Sequence, residues 1–192
     1  MNVLTGIFVG GRGTRMGTVA KGLLPAPGGR ITLLARLLGE IGAALPGAEI
    51  VLVGEHPAYE PTPLLMLPDA RPGAGPLAGL VSLFDAARER GVSHVLAFAS
   101  DLPFVTRDSV SRLVSEAPEA AVLLPERDGH REPLIARYDV AACYDVARAQ
   151  LDASALSLQG LLDKLGESVV HIGLPRSELV DWDAPDDPSQ VQ

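Results

Sequence analysis

Apolar positions along this chain follow two rhythms. Short aliphatic runs occupy 4–9, 49–53, 64–67, 92–99, 120–124, 132–138 and 168–173, lengths that suit strands in a covered sheet. Between the first two, residues 31–45 set Leu34, Leu37, Leu38, Ile41 and Leu45 three and four apart, the spacing of an amphipathic helix. Further helices are predicted from the proline at 76 to Arg90, up to Glu116 behind a Thr106 or Asp108 cap, over 140–151, and over 158–165 behind Ser157. Strand and helix alternate as in βαβ units, whereas the turn at 127–130 is short enough for a hairpin. The prediction is an α/β fold: a single-domain three-layer αβα sandwich with a Rossmann-like, mostly parallel sheet and one locally antiparallel strand. Its ligand crevice would lie at the carboxyl ends of the strands. Residues 1–183 form the expected domain and 184–192 a frayed C-terminal tail.

Composition narrows the partners. A net charge of −8 argues against a general binder of nucleic acid or anionic membrane, so any anion site must be a local basic pocket. The single cysteine, Cys143, excludes an intramolecular disulfide and a cysteine-rich metal site. No apolar run approaches the ~20 residues that span a bilayer and no leader-like segment precedes the first strand, which predicts a cytoplasmic protein. His56 reads as a loop residue and His171 as packed or edge-exposed in the last strand.

The basic pocket has an obvious candidate. Directly after the first strand, residues 10–17 read GGRGTRMG, and Lys21 opens KGLLP at 21–25. Glycines there let the backbone turn through positive φ and bring its N–H groups close to an anion. A triphosphate would be held by Val9, Gly10, Gly11, Arg12 and Gly13 through the backbone, with Arg15 and Lys21 as catalytic cations. The spacing is one residue too long for a dinucleotide fingerprint, and Lys21 lacks the following Ser or Thr of a Walker loop. With 14 arginines against two lysines, a lysine at 21 suggests a site that wants a compact point charge.

Carboxylates complete the chemistry. Asp101 ends the apolar strand 92–99 and its SD dipeptide, a costly position unless a cation meets it. Asp181 and Asp183 supply two more near the end of the chain. Magnesium binds through one or two carboxylates plus substrate phosphates, so Asp101 with Asp183 forms a candidate metal pair, Asp101 also being catalytic.

Taken together, these segments resemble the nucleotidyltransferases, and especially the molybdenum cofactor guanylyltransferases, over most of the chain. The glycine loop with KGLL matches first. Asp69 followed by GPLAG at 75–79, DLPF at 101–104, and Arg131, Glu132, Pro133 and Leu134 with Tyr138 follow in the family's order. The resemblance implies a sheet of the nucleotide-diphospho-sugar transferase type and transfer of GMP from GTP to molybdenum-molybdopterin, with Mg2+ as cofactor. It puts guanine against Gly54, Asp69, Gly75 and Pro76, and the acceptor against Arg131, Glu132 and Pro133. Transient contact with the proteins that make or receive the molybdenum cofactor is implied too. The chain departs from the family at 181–185, where DWDAP replaces N-x-N-T-P. Alternatives are a cytidylyl- or sugar-1-phosphate nucleotidyltransferase, or a nucleotide-binding homologue without catalysis.

Overall fold

A computed structural model describes residues 2–9 and 20–182. Its sheet has seven strands: β1 (Val3–Phe8), β2 (Glu49–Val53), β3 (Met66–Leu67), β4 (His94–Ala99), β5 (Val122–Leu124), β8 (Ile135–Asp139) and β9 (Val169–His171). They lie in the order β3-β2-β1-β4-β8-β5-β9. Every pairing is parallel except those of β8, which runs antiparallel to both β4 and β5. The remaining two strands, β6 (Glu126–Arg127) and β7 (His130–Arg131), form a separate small hairpin closed by Asp128 and Gly129, both at positive φ. The chain leaves β1 toward β2 on one side and returns as β4 on the other. That reversal opens a crevice at the carboxyl ends of β1 and β4.

Alternating side chains on each strand feed two cores. Leu4, Phe8, Val51, Val53, Val95 and Ala97 face α2 (Pro76–Glu89), α4 (Val140–Asp152) and α5 (Leu158–Leu165). Val3, Ile7, Leu52, Leu96 and Phe98 face α1 (Leu33–Ala44) and α3 (Arg107–Ser115). The result is the three-layer sandwich that the period-2 and period-3.6 patterns predicted. Four of the helices start on a side-chain cap: Thr32, Thr106, Asp139 and Ser157 each accept from a backbone N–H three residues on. The fifth, α2, starts on Gly75 at φ 72°, with Pro76 in the first turn.

Several strands are shorter than the apolar runs that announced them. Only Met66–Leu67 of the 64–67 run pairs as a strand. The strand expected from 132 begins at Ile135, because Pro133 has no N–H to donate and a turn closes from the Ile135 N–H to the Glu132 carbonyl at 3.1 Å. Residues 132–134, still tied to β4 where the Leu134 carbonyl accepts the Ala99 N–H at 2.9 Å, become a wall of the crevice.

Candidate active site

Two chain segments carry opposite charges to one point. After β1, the chain re-emerges at Ala20 and forms a 3-10 turn, Lys21–Leu23, in which Leu24 N–H closes on the Lys21 carbonyl at 2.9 Å. At the end of β4, the Ser100 N–H donates to the Phe8 carbonyl at 3.1 Å and delivers Asp101 to the same end of the sheet. The Lys21 Nζ stands 3.0 Å from Asp101 Oδ2; the lysine side chain is 42% exposed and the aspartate 15%.

The Asp101 loop is braced from three sides. The Arg36 guanidinium on α1 donates to the Pro103 carbonyl, and Glu40 accepts the Arg107 N–H at 2.8 Å. Buried Glu178 accepts from both the N–H and the hydroxyl of Thr106, at 3.2 and 3.1 Å. Near the end of the described chain, the Trp182 N–H donates to the Asp101 carbonyl at 2.9 Å while its indole packs on Ala26, Leu33 and Phe104. Asp183, the proposed second metal carboxylate, lies outside the described residues, as do Gly10, Gly11, Arg12, Gly13 and Arg15. Val9 is buried, its N–H bonded to the Val53 carbonyl at 2.9 Å.

Toward β2 and β3 lie the residues expected against the base. Gly54 ends β2 at φ 93°, where a side chain would be strained, and donates to the Leu67 carbonyl. Asp69 follows β3, its carboxyl held above the usual range first by burial and then by nearby Glu55. Gly79 is required by contact: a Cβ there would meet Val53 Cγ1 at 2.7 Å, Phe8 at 3.0 Å and Asp69 Oδ1 at 3.2 Å. The glycine therefore lets α2 approach the sheet and leaves the Asp69 carboxylate its place.

Beside Asp101 opens a cleft of about 390 Å³. Asp101, Pro76, Glu132, Pro133, Gln159 and Asp181 are among its lining residues. Burial raises the Glu132 carboxyl above its ordinary value; Arg127, 3.3 Å away, opposes that rise, and Asp181 adds to it. Of the three residues expected on the acceptor side, Glu132 and Pro133 line the cleft. Arg131 turns to α5 instead, donating to the Gln159 side chain at 3.0 Å and to Asp163 at 2.6 Å. Tyr138 is fully buried and reaches the cleft only indirectly, by donating to the Pro133 carbonyl at 2.7 Å.

Sequence reasoning missed two contributors. The start of α5, with Ser157 and Gln159, walls the cleft without any motif to announce it. Tyr59, in a proline-rich connection, is buried beneath Lys21 and accepts the Gly22 N–H at 3.0 Å. An added Cβ on Gly22 would meet the phenolic oxygen at 2.7 Å, a closeness that no local pattern announces.

No group of three or more His, Cys, Asp or Glu suited to a metal occurs among the described residues. That is compatible with a hard dication held by one or two carboxylates and completed by phosphate and water oxygens, and Asp101 offers such an oxygen. No helix of the described residues is long and apolar enough to cross a membrane.

Comparison with known proteins shows the family. The chain is 34% identical over 135 residues to the probable molybdenum cofactor guanylyltransferase of Mycobacterium tuberculosis, covering 69% of this chain and 65% of that one. It is 38% identical over 120 residues to the molybdenum cofactor guanylyltransferase of Rhodobacter capsulatus, covering 60% and 59%. Each match thus spans less than two thirds of the relative's length. Among solved structures, molybdopterin-guanine dinucleotide biosynthesis protein A from Archaeoglobus fulgidus superposes with a TM-score of 0.68 at 23% identity, covering 88% of this chain and 82% of the other. The 2-C-methyl-D-erythritol 4-phosphate cytidylyltransferase of Thermus thermophilus gives 0.64 at 19%, covering 96% and 93%. Those two likenesses show the fold, that of nucleotidyltransferases of the nucleotide-diphospho-sugar transferase type. A family model described as the MobA-like NTP transferase domain matches residues 6–168, most of the sheet and both core layers, and this chain belongs to that family.

Proposed function

We propose that this chain transfers GMP from GTP to the terminal phosphate of molybdenum-bound molybdopterin, releasing pyrophosphate. The observation that carries the reading is the meeting of Lys21 and Asp101 at 3.0 Å, with Asp101 lining a cleft beside Glu132 and Pro133. In this reading the triphosphate lies along residues 9–13, Arg15 and Lys21, with guanine toward Gly54, Asp69, Gly75 and Pro76. The acceptor enters beside Glu132 and Pro133.

The acceptor phosphate is already anionic, so the reaction needs alignment and charge neutralisation rather than a general base. An acceptor oxygen attacks the α-phosphorus, the α–β bridging oxygen leaves with the pyrophosphate, and no proton has to move. Lys21 neutralises charge on the transferring phosphoryl group. Asp101, together with Asp183, would hold magnesium, which supplies electrostatic stabilisation to the phosphate oxygens when bound. The cleft contains the carboxylates of Asp101, Glu132 and Asp181, so an anionic acceptor needs this positive charge to enter at all.

The test is pyrophosphate release with each NTP against molybdenum-molybdopterin and a panel of sugar 1-phosphates. GTP with the pterin should be the best pair, since a pocket that hydrogen-bonds one base leaves buried groups unpaired with another. Equal turnover with CTP, or preference for a sugar phosphate, would sink the assignment.

A further inference from the structure

Lys21 and Asp101 are each one residue from a group packed at one buried hydroxyl. Tyr59 belongs to a 3-10 turn, Pro57–Tyr59, within the 54–63 connection, and its ring is completely buried in the α1–α3 core. Its hydroxyl accepts the Gly22 N–H at 3.0 Å, and the Ser100 side chain packs against the same glycine. Gly22 is the chain neighbour of Lys21, and Ser100 the chain neighbour of Asp101. The packing around this hydroxyl leaves no slack, because a Cβ on Gly22 would sit 2.7 Å from the phenolic oxygen and 3.0 Å from Ser100 Cβ.

We propose that Tyr59 is a positioning residue for the transfer reaction, its hydroxyl fixing the Lys21 turn against the Ser100–Asp101 turn so that ammonium and carboxylate meet in register. Tyr59 touches neither substrate nor metal; it acts through the backbone of Gly22, which packs against Ser100. A phenylalanine would fill the same core volume and leave the Gly22 N–H without its partner. The Lys21 turn would then shift or sample several positions. Since a displacement of about 1 Å at a reacting centre costs on the order of a hundredfold in rate, a partial loss of register should cost about tenfold or more.

This inference rests on the transfer reading above, so its test includes a readout independent of turnover. Tyr59→Phe is compared with wild type in steady-state kinetics and in reductive methylation followed by mass spectrometry. The chain has only two lysines, and exposed Lys164 on α5 is an internal standard for Lys21. The expected result is a fall in kcat of about tenfold or more with the KM for GTP changed less than about threefold. The signature of an interaction felt in the transition state is that kcat and kcat/KM fall together. The Lys21-to-Lys164 methylation ratio should rise severalfold as the ammonium spends less time paired with Asp101. A Tyr59→Phe protein that melts lower but keeps kcat within twofold and an unchanged methylation ratio would show a packing role only and overturn the proposal. A fall in kcat with an unchanged ratio would overturn it too, because Tyr59 would then act by another route. Should Tyr59→Phe fail to fold, Ser100→Ala removes the hydroxyl that packs against Gly22 on the Asp101 side and is read by the same two criteria. A wild-type chain inactive with GTP and molybdopterin would refute the transfer reading, and the methylation ratio would then decide the Tyr59 contact by itself.

Discussion

Replacing Lys21 with alanine separates catalysis from stability by magnitude. In the folded protein the ammonium lies 3.0 Å from Asp101, yet the lysine side chain is 42% exposed, so water screens much of the attraction. Pairs of that exposure contribute about 0.2–1 kcal/mol. For a domain of this size, each kcal/mol moves the melting temperature by about 2–4 °C, so Lys21→Ala should lower it by about 4 °C at most. In the transition state the same charge would face a phosphoryl group in a partly water-excluded crevice. Loss of one such electrostatic donor costs about 2.7–4 kcal/mol, a factor of about 10²–10³ in kcat. The catalytic loss should therefore exceed the stability loss several-fold in free energy. Melting curves and initial rates of pyrophosphate release on one preparation supply both numbers. Lys21→Arg should recover only part of the rate, because a planar fork does not reproduce a compact ammonium in that turn. Lys164→Ala is the control, on the exposed face of α5. Turnover by Lys21→Ala within threefold of wild type would refute the reasoning and leave Lys21 an ordinary surface ion pair.

Two further outcomes test the base pocket. Gly79→Ala gains about 1 kcal/mol of helix propensity but forces a methyl into contacts of 2.7 and 3.0 Å, an overpacking cost of about 1–3 kcal/mol. Scanning calorimetry should show a lower melting temperature, and the KM for GTP should rise because Asp69 is pushed; a melting temperature above wild type would contradict the contact. Asp69 has its folded pKa raised above 3.8 by burial, so the folded state binds its proton more tightly than the unfolded state. Its contribution to stability is fully present below pH 3.8 and is lost as pH rises through the folded value. Asp69→Asn should accordingly melt higher than wild type at pH 7, with the difference shrinking toward acid, while binding GTP more weakly in a titration. A melting temperature below wild type at pH 7 would reverse the sign and refute this account.

The layers of the fold were legible because apolar spacing reports which face of an element is covered. Leu34, Leu37 and Ile41 are indeed buried on one face of α1, and the 49–53 run is β2 to the residue. Boundaries were less legible wherever backbone hydrogen bonding decides them, as at 132–134, where apolar Leu134 reads as strand but Pro133 and the Glu132 turn end the pairing. Arg137 shows the limit of composition: an arginine in a strand reads as solvent-facing. Here it is fully buried, and its guanidinium donates to the carbonyls of Leu113, Val114, Glu116 and Ala117 at the end of α3. No local pattern records that solution, because it depends on β8 passing beneath α3.

The site was legible where residues sit in motifs at strand ends. Lys21, Asp101, Asp69, Gly75, Pro76, Glu132 and Pro133 all fall at one end of the sheet, and Lys21 meets Asp101 directly. Arg131 carries the right charge in the right motif, yet its guanidinium is engaged by Gln159 and Asp163. Side-chain direction after a two-residue strand is set by its neighbours in space, which spacing along the chain does not encode. Tyr59 was invisible for the same reason, since it acts on Gly22, 37 positions away in sequence.

The central claim is that the Lys21–Asp101 junction carries a GMP group from GTP to a pterin phosphate. A single-turnover experiment with GTP labelled at the α-phosphorus, molybdenum-molybdopterin and magnesium tests it most directly. The wild-type chain should move the label into a pterin-linked guanine dinucleotide, one pyrophosphate appearing for each label transferred, and Asp101→Asn should slow that step by about a hundredfold or more. Absence of pterin-linked label with the wild-type chain, or label transfer by Asp101→Asn at the wild-type rate, would contradict it.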